Sequence, residues 1–496
     1  MSEILFYYHG VDPTTWAYLS SLLTIALFVK FSRVWSVRNV DLIGLILLAP
    51  GLLCVEYGAY FERLDTNNDG QVTRSEVPEH QRERFASFFD RMDRDGDQII
   101  TRAALDAAKQ VGYIWLFCTA GFFLIRLLLD PLMVRRPLLE PNLSAGGLTF
   151  LGVSLLIFLL ANVVTNQPDI DDLAAASSVS AEQVEQAQAT AETEQSSEER
   201  FATRGPGYAL LQVIPNISTR IFVQQGDAAA NADGVQQELQ RVATARTMAI
   251  LSHLAIVLGM VLIGYRHFDN IKTGIAAAVL YLMLPYTAIM TGRVTHVLPA
   301  ALLVWAVASY RRPLISGMLM GFAIGTSYYP LFLLPLWVAF YFQRGLVRFS
   351  AGVISMLAVL TGVLALNAAN ADEFLTQVQY MFGFIFPTRD PQGFWGLAFN
   401  DPVYRIPVLA AFVAMCGTLA IWPAQKNLGT LLSCSAAVML GTQFWNAYGG
   451  LYMAWYLPLL LLTIFRPNLE DRVALSVLGE WRPKRRLRIA PVGRAA

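Results

Sequence analysis

Residues 65–76, DTNNDGQVTRSE, place oxygen-bearing groups at regular intervals along one short loop. Calcium takes about six to eight oxygen ligands, and a loop of this length supplies them from positions 1, 3, 5, 7, 9 and 12, with a glycine at position 6 for the turn. Gly70 stands at position 6. The ligand positions are filled by Asp65, Asn67, Asp69, the carbonyl of Gln71, Thr73 and Glu76. The spacing predicts a Ca²⁺ site, with an ordinary Asn/Asp/Gly surface turn as the alternative.

A second loop, DRDGDQIITRAA, begins at Asp93. Gln98 stands where the turn glycine belongs, and Ala104 stands where the bidentate glutamate belongs. We predict a degenerate loop that binds calcium weakly or not at all and pairs with the first loop through Val72 and Ile100. The carboxylates that it retains are those of Asp93, Asp95 and Asp97.

Residues 55–108 resemble an EF-hand pair, because the first loop fits the pattern D-x-N-x-D-G-x5-E in full. The resemblance implies Ca²⁺ as the bound ion. Outside the cytoplasm, such sites belong to the weak class, with dissociation constants of about 10⁻⁴–10⁻³ M. We therefore expect environmental calcium to keep this loop folded, rather than a cytosolic calcium pulse to switch it.

The composition of the chain is typical of a membrane protein. Of its 496 residues, 55% are hydrophobic and only 15% are charged, against about 25% charged in soluble domains. The formal net charge is zero, and no basic stripe with interleaved aromatic residues is present, so no nucleic-acid partner is expected. Apolar runs long enough to cross a bilayer predict an all-α, polytopic membrane protein with about thirteen spans, at 15–31, 41–58, 112–129, 147–164, 247–265, 273–290, 296–310, 313–327, 329–343, 350–367, 406–422, 428–445 and 451–465.

Lys and Arg collect after every odd-numbered span, as in KFSRVWSVR after the first and MVRRP after the third. Because basic residues favour cytoplasmic loops, we expect the N-terminus and the EF-hand loops outside the cytoplasm and the C-terminus inside, in the cell (inner) membrane of a bacterium. The long loops 59–111 and 165–246 and the shorter loop 368–404 then lie outside. The predicted segments are 1–58 (two spans), 59–108 (EF-hand pair), 109–146 (third span and cytoplasmic loop), 147–465 (polytopic domain) and 466–496 (basic tail).

The stretch YRRPLISGMLMGFAIGTSYYPLFLLP (310–335) resembles a segment of the polytopic glycosyltransferases of the GT-C superfold, in the alpha-mannosyltransferase-like group. RGPGYALL (204–211) is similar to an element of their first large outer loop, and the resemblance covers about 147–465. It implies a polyprenyl-phosphate sugar as donor and a glycan or lipid as acceptor, outside the cytoplasm. Ser327 stands where many of these enzymes have Lys.

Transfer to a hydroxyl acceptor requires a carboxylate base and cationic groups for the leaving phosphate. GT-C enzymes place an acid early in the first large outer loop, so the resemblance makes Asp169, Asp171 and Asp172 the candidate catalytic residues. Arg293 and His296, between two spans on the outer side, are the candidate phosphate or donor-binding residues. The alternative for the three aspartates is a solvated helix end. The alternative for Arg293 and His296 is an anchor at the membrane interface.

Two non-enzymatic functions stay open: a calcium-binding membrane protein for assembly or surface attachment, and a transporter. We expect no buried acids in the spans, with Arg126 extending to the cytoplasmic surface and His253 making an interhelical contact. The lack of buried acids argues against an ion pump. PQGFWG (391–396) is predicted as an aromatic element at the membrane surface, with sugar stacking as the alternative.

Overall fold

The computed structural model describes residues 12–62, 64, 69–73, 76, 97, 99–133, 139–165, 233–368, 370–383, 393–397, 401–424, 426–446 and 451–467. Apart from two three-residue strands, this part of the chain is built from helices, in agreement with the all-α class. In chain order the elements are α1 (Pro13–Phe28), α2 (Val37–Glu62), β1 (Gln71–Thr73), β2 (Ile99–Thr101), α3 (Arg102–Leu129), α4 (Ala145–Thr165), α5 (Asp233–His267), α6 (Ile271–Met283), α7 (Pro285–Ile289), α8 (Val294–Ala308), α9 (Pro313–Thr326), α10 (Leu334–Tyr341), α11 (Leu346–Asn367), α12 (Ala371–Phe382), α13 (Arg405–Ile421), α14 (Leu428–Gly441) and α15 (Leu457–Phe465).

Within the described residues, five helices are long and apolar enough to cross a membrane: α2, α3, α4, α5 and α11. The remaining predicted spans coincide with shorter helices or with two short segments in succession. The predicted span 273–290, for instance, is divided between α6 and α7 by Pro285, which starts the second helix because proline cannot continue the first. Thirteen crossings therefore stay a prediction, while several long apolar helices point to membrane insertion.

The short helices lie in the middle of the bundle. Every residue of α14 and of α15 is buried, as are nearly all residues of α6 and α8. The longer helices around them expose large apolar side chains, including Phe150 of α4 and Ile354 of α11. Broken helices are tolerated at membrane depth where protein surrounds them, and an apolar exterior is stable in lipid. The arrangement is consistent with an all-α membrane protein.

Glycines set the closest helix contacts. A Cβ on Gly51 of α2 would lie 3.0 Å from the Gly112 carbonyl oxygen of α3, and a Cβ on Gly112 would lie 2.8 Å from the Gly51 carbonyl oxygen. A Cβ on Gly317 of α9 would overlap the Phe349 carbonyl oxygen of α11. Small residues of this kind allow helix backbones to touch, so α2 with α3 and α9 with α11 form two tight pairs.

The bundle has two distinguishable ends, which we name the hairpin end and the tail end. The hairpin end is where α2 finishes and α3 begins, next to β1 and β2. The tail end contains the start of α2 and the end of α3, together with residues 464–467. Helix α14 starts at the tail end, because Gly429 lies against the Arg466 guanidinium. The segment after α14 therefore lies on the hairpin side of the bundle.

A buried ionic network closes the tail end. Arg126 of α3 donates to both carboxylate oxygens of Asp41 of α2, at 2.9 and 3.0 Å, and to Asp130 at 2.9 Å. Arg466 donates to Asp130 at 2.6 Å, and Arg38 donates to the Arg466 and Ile464 carbonyls. The carboxylates of Asp41 and Asp130 are fully buried. The network therefore joins α2, α3 and the end of α15 by charge-assisted hydrogen bonds.

The tail-end network contradicts two expectations from the sequence. Arg126 does not extend to the surface but is buried between two carboxylates. The spans also do contain buried acids, since Asp41 lies one turn inside α2. Both acids are paired with arginine, so their charges are compensated inside the bundle and neither is a free proton or ion carrier.

His253 agrees with its prediction as an interhelical contact. Its Nε2 lies 3.0 Å from the Thr291 carbonyl oxygen, and its Nδ1 lies 3.2 Å from the Tyr281 hydroxyl. A carbonyl can only accept, so Nε2 carries the proton and Nδ1 accepts from Tyr281.

Candidate functional site

The strands β1 and β2 form an antiparallel hairpin ladder that joins the two loops. Val72 faces Ile100 across it, which is the pairing expected from position 8 of each loop. Both side chains are buried in a small apolar cluster with Tyr57 of α2 and Leu105 of α3. The ladder is therefore attached directly to the two helices that flank it.

Before each strand of the ladder, an aspartate side chain accepts a hydrogen bond from the backbone amide two residues later. The Gln71 amide donates to Asp69 Oδ1 at 2.7 Å, and the Ile99 amide donates to Asp97 Oδ1 at 2.9 Å. The two loops thus repeat the same contact between positions 5 and 7. Gly70 has φ +77°, a left-handed conformation that glycine adopts without strain. This is the sharp turn that position 6 of a calcium loop requires.

Glu76, the predicted bidentate ligand, is folded back onto the loop. Its Oε2 accepts from the Thr73 amide at 2.8 Å and from the Thr73 hydroxyl at 2.9 Å. Its Oε1 is buried and has no hydrogen-bond partner in the described part of the chain. A buried carboxylate oxygen without a donor is costly, and a cation is the group that satisfies it most directly.

The other predicted ligands divide between described and undescribed residues. Asp65, Asn67, Asp93 and Asp95 lie outside the described residues. Among the residues that are described, no three His, Cys, Asp or Glu side chains come close enough to hold a metal by themselves. A complete ligand set therefore stays a prediction.

A second group of residues lies on the hairpin side of the bundle. It forms what we call the aromatic chamber, a set of rings packed against one another that is defined by Tyr328, Tyr329, Trp445, Tyr452 and Trp455. The rings form a continuous series: Tyr328 stacks on Tyr329 at 4.2 Å, Tyr329 lies 5.3 Å from Trp445 and 5.0 Å from Trp455, and Trp455 stacks on Tyr452 at 4.4 Å. These residues follow α9 or lie between α14 and α15, where short 3₁₀ segments bring the chain around.

Two polar atoms of the chamber region stand out. The Trp445 indole N–H and the Ser327 hydroxyl are buried and have no hydrogen-bond partner within the described ranges. Buried polar groups are nearly always paired, so these two are available to a water molecule or a ligand. Ser327 is the position at which the sequence departs from the GT-C segment.

The walls of the chamber are held by long-range hydrogen bonds. Arg405 of α13 donates from Nε and Nη2 to the Trp445 carbonyl at 3.2 and 3.0 Å. Trp395 donates to the Phe444 carbonyl at 2.9 Å. The prediction of a surface aromatic element at 391–396 is wrong for Trp395, which is only 6% exposed because it packs against this wall.

His296 borders the chamber, with its ring 4.5 Å from that of Tyr452. The Tyr286 hydroxyl donates to the Leu451 carbonyl at 2.8 Å, so it accepts from His296 Nδ1 at 2.6 Å. In the neutral ring Nε2 then carries the lone pair. Arg293 is half-buried just before α8, three residues earlier. The structure thus brings one of the two predicted phosphate-binding side chains against the chamber, as a hydrogen-bond acceptor.

The predicted catalytic acids Asp169, Asp171 and Asp172 lie outside the described residues. No geometry relates them to the chamber, and their role stays a prediction. The chamber itself was not predicted. Its sequence signal is the clustering of aromatic residues at helix ends, in SYYP (327–330) and LYMAWY (451–456), which reads equally well as membrane-surface anchoring.

Comparison with protein-family models, with curated proteins and with solved structures found no match for this chain. The EF-hand and GT-C resemblances therefore rest on the motifs quoted above.

Proposed function

We propose that this protein is a polytopic membrane protein that binds Ca²⁺ outside the cytoplasm at the hairpin between α2 and α3. The observation that carries the proposal is Glu76, whose buried Oε1 has no donor among the described residues and which stands at the loop position that supplies the bidentate ligand. The left-handed Gly70 and the Val72–Ile100 pair support it, because they give the loop the turn and the partner that such a site uses.

The placement of basic residues supports the orientation. The tail end, by this proposal cytoplasmic, contains the KFSRVWSVR loop and the start of the basic tail. The hairpin then faces environmental calcium, and the site belongs to the weak class, with a dissociation constant of about 10⁻⁴–10⁻³ M. Calcium at concentrations in this range keeps the hairpin folded at all times.

Terbium luminescence on the full-length protein in nanodiscs tests the site. Terbium bound at the hairpin is expected to emit through nearby tyrosines and to be displaced by Ca²⁺. Glu76→Gln removes a ligand charge and is expected to weaken binding at least about tenfold, since even outer-shell changes at metal sites cost 10–100-fold. Glu140→Gln, at an exposed glutamate on the tail side, is the control. Equal binding by both variants would rule out Glu76 as a ligand.

A second candidate function is transfer of a sugar from a polyprenyl phosphate to a glycan or lipid acceptor. The aromatic rings support it, because aromatic side chains, together with an indole N–H and a hydroxyl that have no partner among the described residues, are groups that can contact a polyhydroxylated ligand. By this proposal Asp169, Asp171 and Asp172 provide the base, and Arg293 with His296 lies near the donor.

Replacing the three aspartates together by asparagine tests the transferase. We expect a change in the cell-envelope glycolipid profile equal to that of deleting the gene. Glu198→Gln with Glu199→Gln, in the same loop, is the matched control and is expected to leave the profile unchanged. An unchanged profile after both the triple replacement and the deletion would leave the non-catalytic calcium-binding protein as the better account.

A further inference from the structure

The first turn of α14 has a cation beside it, at the place where a helix favours an anion. The Arg466 guanidinium lies against Gly429, the second residue of the helix, because a Cβ on Gly429 would overlap Arg466 Nη1 and would lie 2.7 Å from its Cζ. The N-terminus of a helix carries the positive end of its dipole and is stabilised by negative charge. A guanidinium at this place therefore lies against like charge unless an anion accompanies it.

Two hydrogen-bond donors beside this turn, and a third on the same guanidinium, have no acceptor. Arg466 is only 6% exposed, and its Nε is buried with no hydrogen-bond partner. Its Nη2 donates to Asp130, whereas Nη1, the nitrogen beside Gly429, donates to no described residue. The Asn427 side chain caps α14 by accepting from the Thr430 amide, and the Gly429 amide has no acceptor in the described chain. Because buried donors are nearly always paired, these indicate an oxygen-bearing anion.

The tail-end network does not supply enough negative charge. It contains three guanidiniums and two carboxylates, those of Arg38, Arg126, Arg466, Asp41 and Asp130. One positive charge is thus left over. Lys426, one residue before the cap of α14, adds a second, since its Nζ bonds among the described residues only to the Leu419 carbonyl, at 3.4 Å. Lys426 and Arg466 both lie within electrostatic range of the Cys434 thiol in the second turn of α14, so they share this end of the helix.

The start of α14 lies next to a segment with the character of a membrane surface. Helix α13 ends just before it, with Ile421 82% exposed and Trp422 39% exposed. Tryptophan collects at the boundary between lipid and water, and Lys426 follows Trp422 by four residues. Basic pockets between membrane-spanning helices bind the phosphate-bearing head groups of anionic lipids. The unpaired donors and their location thus indicate the same kind of anion.

We propose that the start of α14, together with Arg466 and Lys426, is a binding site for a phosphate group. One phosphate oxygen accepts from the Gly429 amide and another from Arg466 Nη1, since helix N-termini and guanidiniums are both suited to phosphate. Lys426 compensates the remaining charge. The expected source is the head group of an anionic phospholipid, and free phosphate is the other source of the same chemistry. The site lies at the opposite end of the bundle from the calcium hairpin and does not rest on it.

Lipid and phosphate titrations of the full-length protein in a neutral detergent test the site. Native mass spectrometry compares the binding of phosphatidylglycerol, which is anionic, with that of phosphatidylcholine, which has no net charge. For the wild type we expect one phosphatidylglycerol to bind at least about fivefold more tightly, the effect of one basic charge at an anionic lipid surface. Equilibrium dialysis against radioactive inorganic phosphate measures the second source.

Three variants separate a built site from general attraction to basic residues. Lys426→Gln removes one uncompensated charge and is expected to weaken phosphatidylglycerol binding about fivefold. Lys272→Gln is the matched control and is expected to bind as the wild type, because Lys272 is also half-buried at a helix start and its Nζ also lies 3.4 Å from a carbonyl, that of Pro141. Gly429→Ala keeps every charge but places a methyl group where Arg466 Nη1 lies. We expect it to weaken binding at least as much as Lys426→Gln.

The outcomes separate the two sources and can overturn the site. Phosphatidylglycerol binding without saturable phosphate binding would assign the site to a lipid, whereas saturable phosphate binding that displaces the lipid would assign it to free phosphate. Binding of neither probe by the wild type, or equal binding by Lys426→Gln and Lys272→Gln, would overturn the proposal. Undiminished binding by folded Gly429→Ala would also overturn it, since the attraction would then come from the basic tail as a whole. If Gly429→Ala does not fold, the two lysine variants decide. None of these results involves calcium, so each leaves the proposed calcium site untouched.

Discussion

At the scale of single residues, the chain keeps most polar groups in an apolar interior by pairing them, and it departs from this rule at several described positions in different parts of the fold. Arg126 satisfies Asp41 and Asp130, and His253 is bonded at both ring nitrogens. Against this background, Glu76 Oε1 and the Trp445 indole N–H are exceptions in the described chain. A buried polar group without a protein partner is paired with water, an ion or a ligand in most proteins, and the proposed calcium ion is such a partner for Glu76.

Arg126→Met tests the tail-end network. The change leaves Asp41 buried without its guanidinium and removes one of the two that hold Asp130. Breaking a buried pair in this way costs about 3–5 kcal/mol, so we expect a loss of that size in the free energy of unfolding, measured by denaturant titration in mixed micelles. Arg266→Met, at an exposed arginine near the end of α5, is expected to change it by less than about 0.5 kcal/mol. Equal effects of the two changes on the free energy of unfolding would show that the network contributes no more to stability than an exposed arginine does.

At the scale of elements, local patterns were predictable and long-range ones were not. The Val72–Ile100 pair follows from loop spacing alone, because both residues occupy position 8 of their loops. The tail-end network joins residues of α2, α3 and the end of α15 that are up to 428 positions apart, and no single window of sequence reveals such a contact. The chamber was missed for the same reason, since the aromatic clusters at 327–330 and 451–456 meet only in the fold.

Gly317→Ala tests the tight pair of α9 and α11. The added Cβ would overlap the Phe349 carbonyl oxygen, which belongs to the backbone and cannot turn away. We expect the two helices to separate and the unfolding free energy to fall by about 1–3 kcal/mol, the usual cost of overpacking. Gly362→Ala, in α11 with no neighbouring heavy atom within 4 Å, is expected to be neutral or stabilising because alanine favours helix. A loss of stability from Gly362→Ala as large as that from Gly317→Ala would show that helix propensity, not close approach, sets the effect.

At the scale of the whole molecule, the two ends of the bundle have different chemistry. The tail end is closed by ion pairs, whereas the hairpin side contains the calcium loop and the aromatic chamber. One side closed by ion pairs and one side with the proposed calcium site is an arrangement that suits a protein acting on one face of a membrane. Composition predicted membrane insertion, but only the fold shows that the short apolar helices α6, α8, α14 and α15 form a buried centre.

Reporter fusions test the orientation of the bundle. Because basic residues collect at the tail end, green fluorescent protein fused after Ala496 is expected to fluoresce, since it folds in the cytoplasm. Alkaline phosphatase inserted in loop 165–246 is expected to be active, since it folds outside. The opposite pattern would place the hairpin in the cytoplasm and would turn the calcium loop into a candidate sensor.

By the proposed function, the hairpin binds one calcium ion per chain. Equilibrium dialysis of the full-length protein in nanodiscs against radioactive calcium measures it most directly. We expect a single site with a dissociation constant of about 10⁻⁴–10⁻³ M, weakened at least about tenfold in Glu76→Gln and unchanged in Glu140→Gln. Binding that is absent at millimolar calcium, or that Glu76→Gln leaves unchanged, would contradict it.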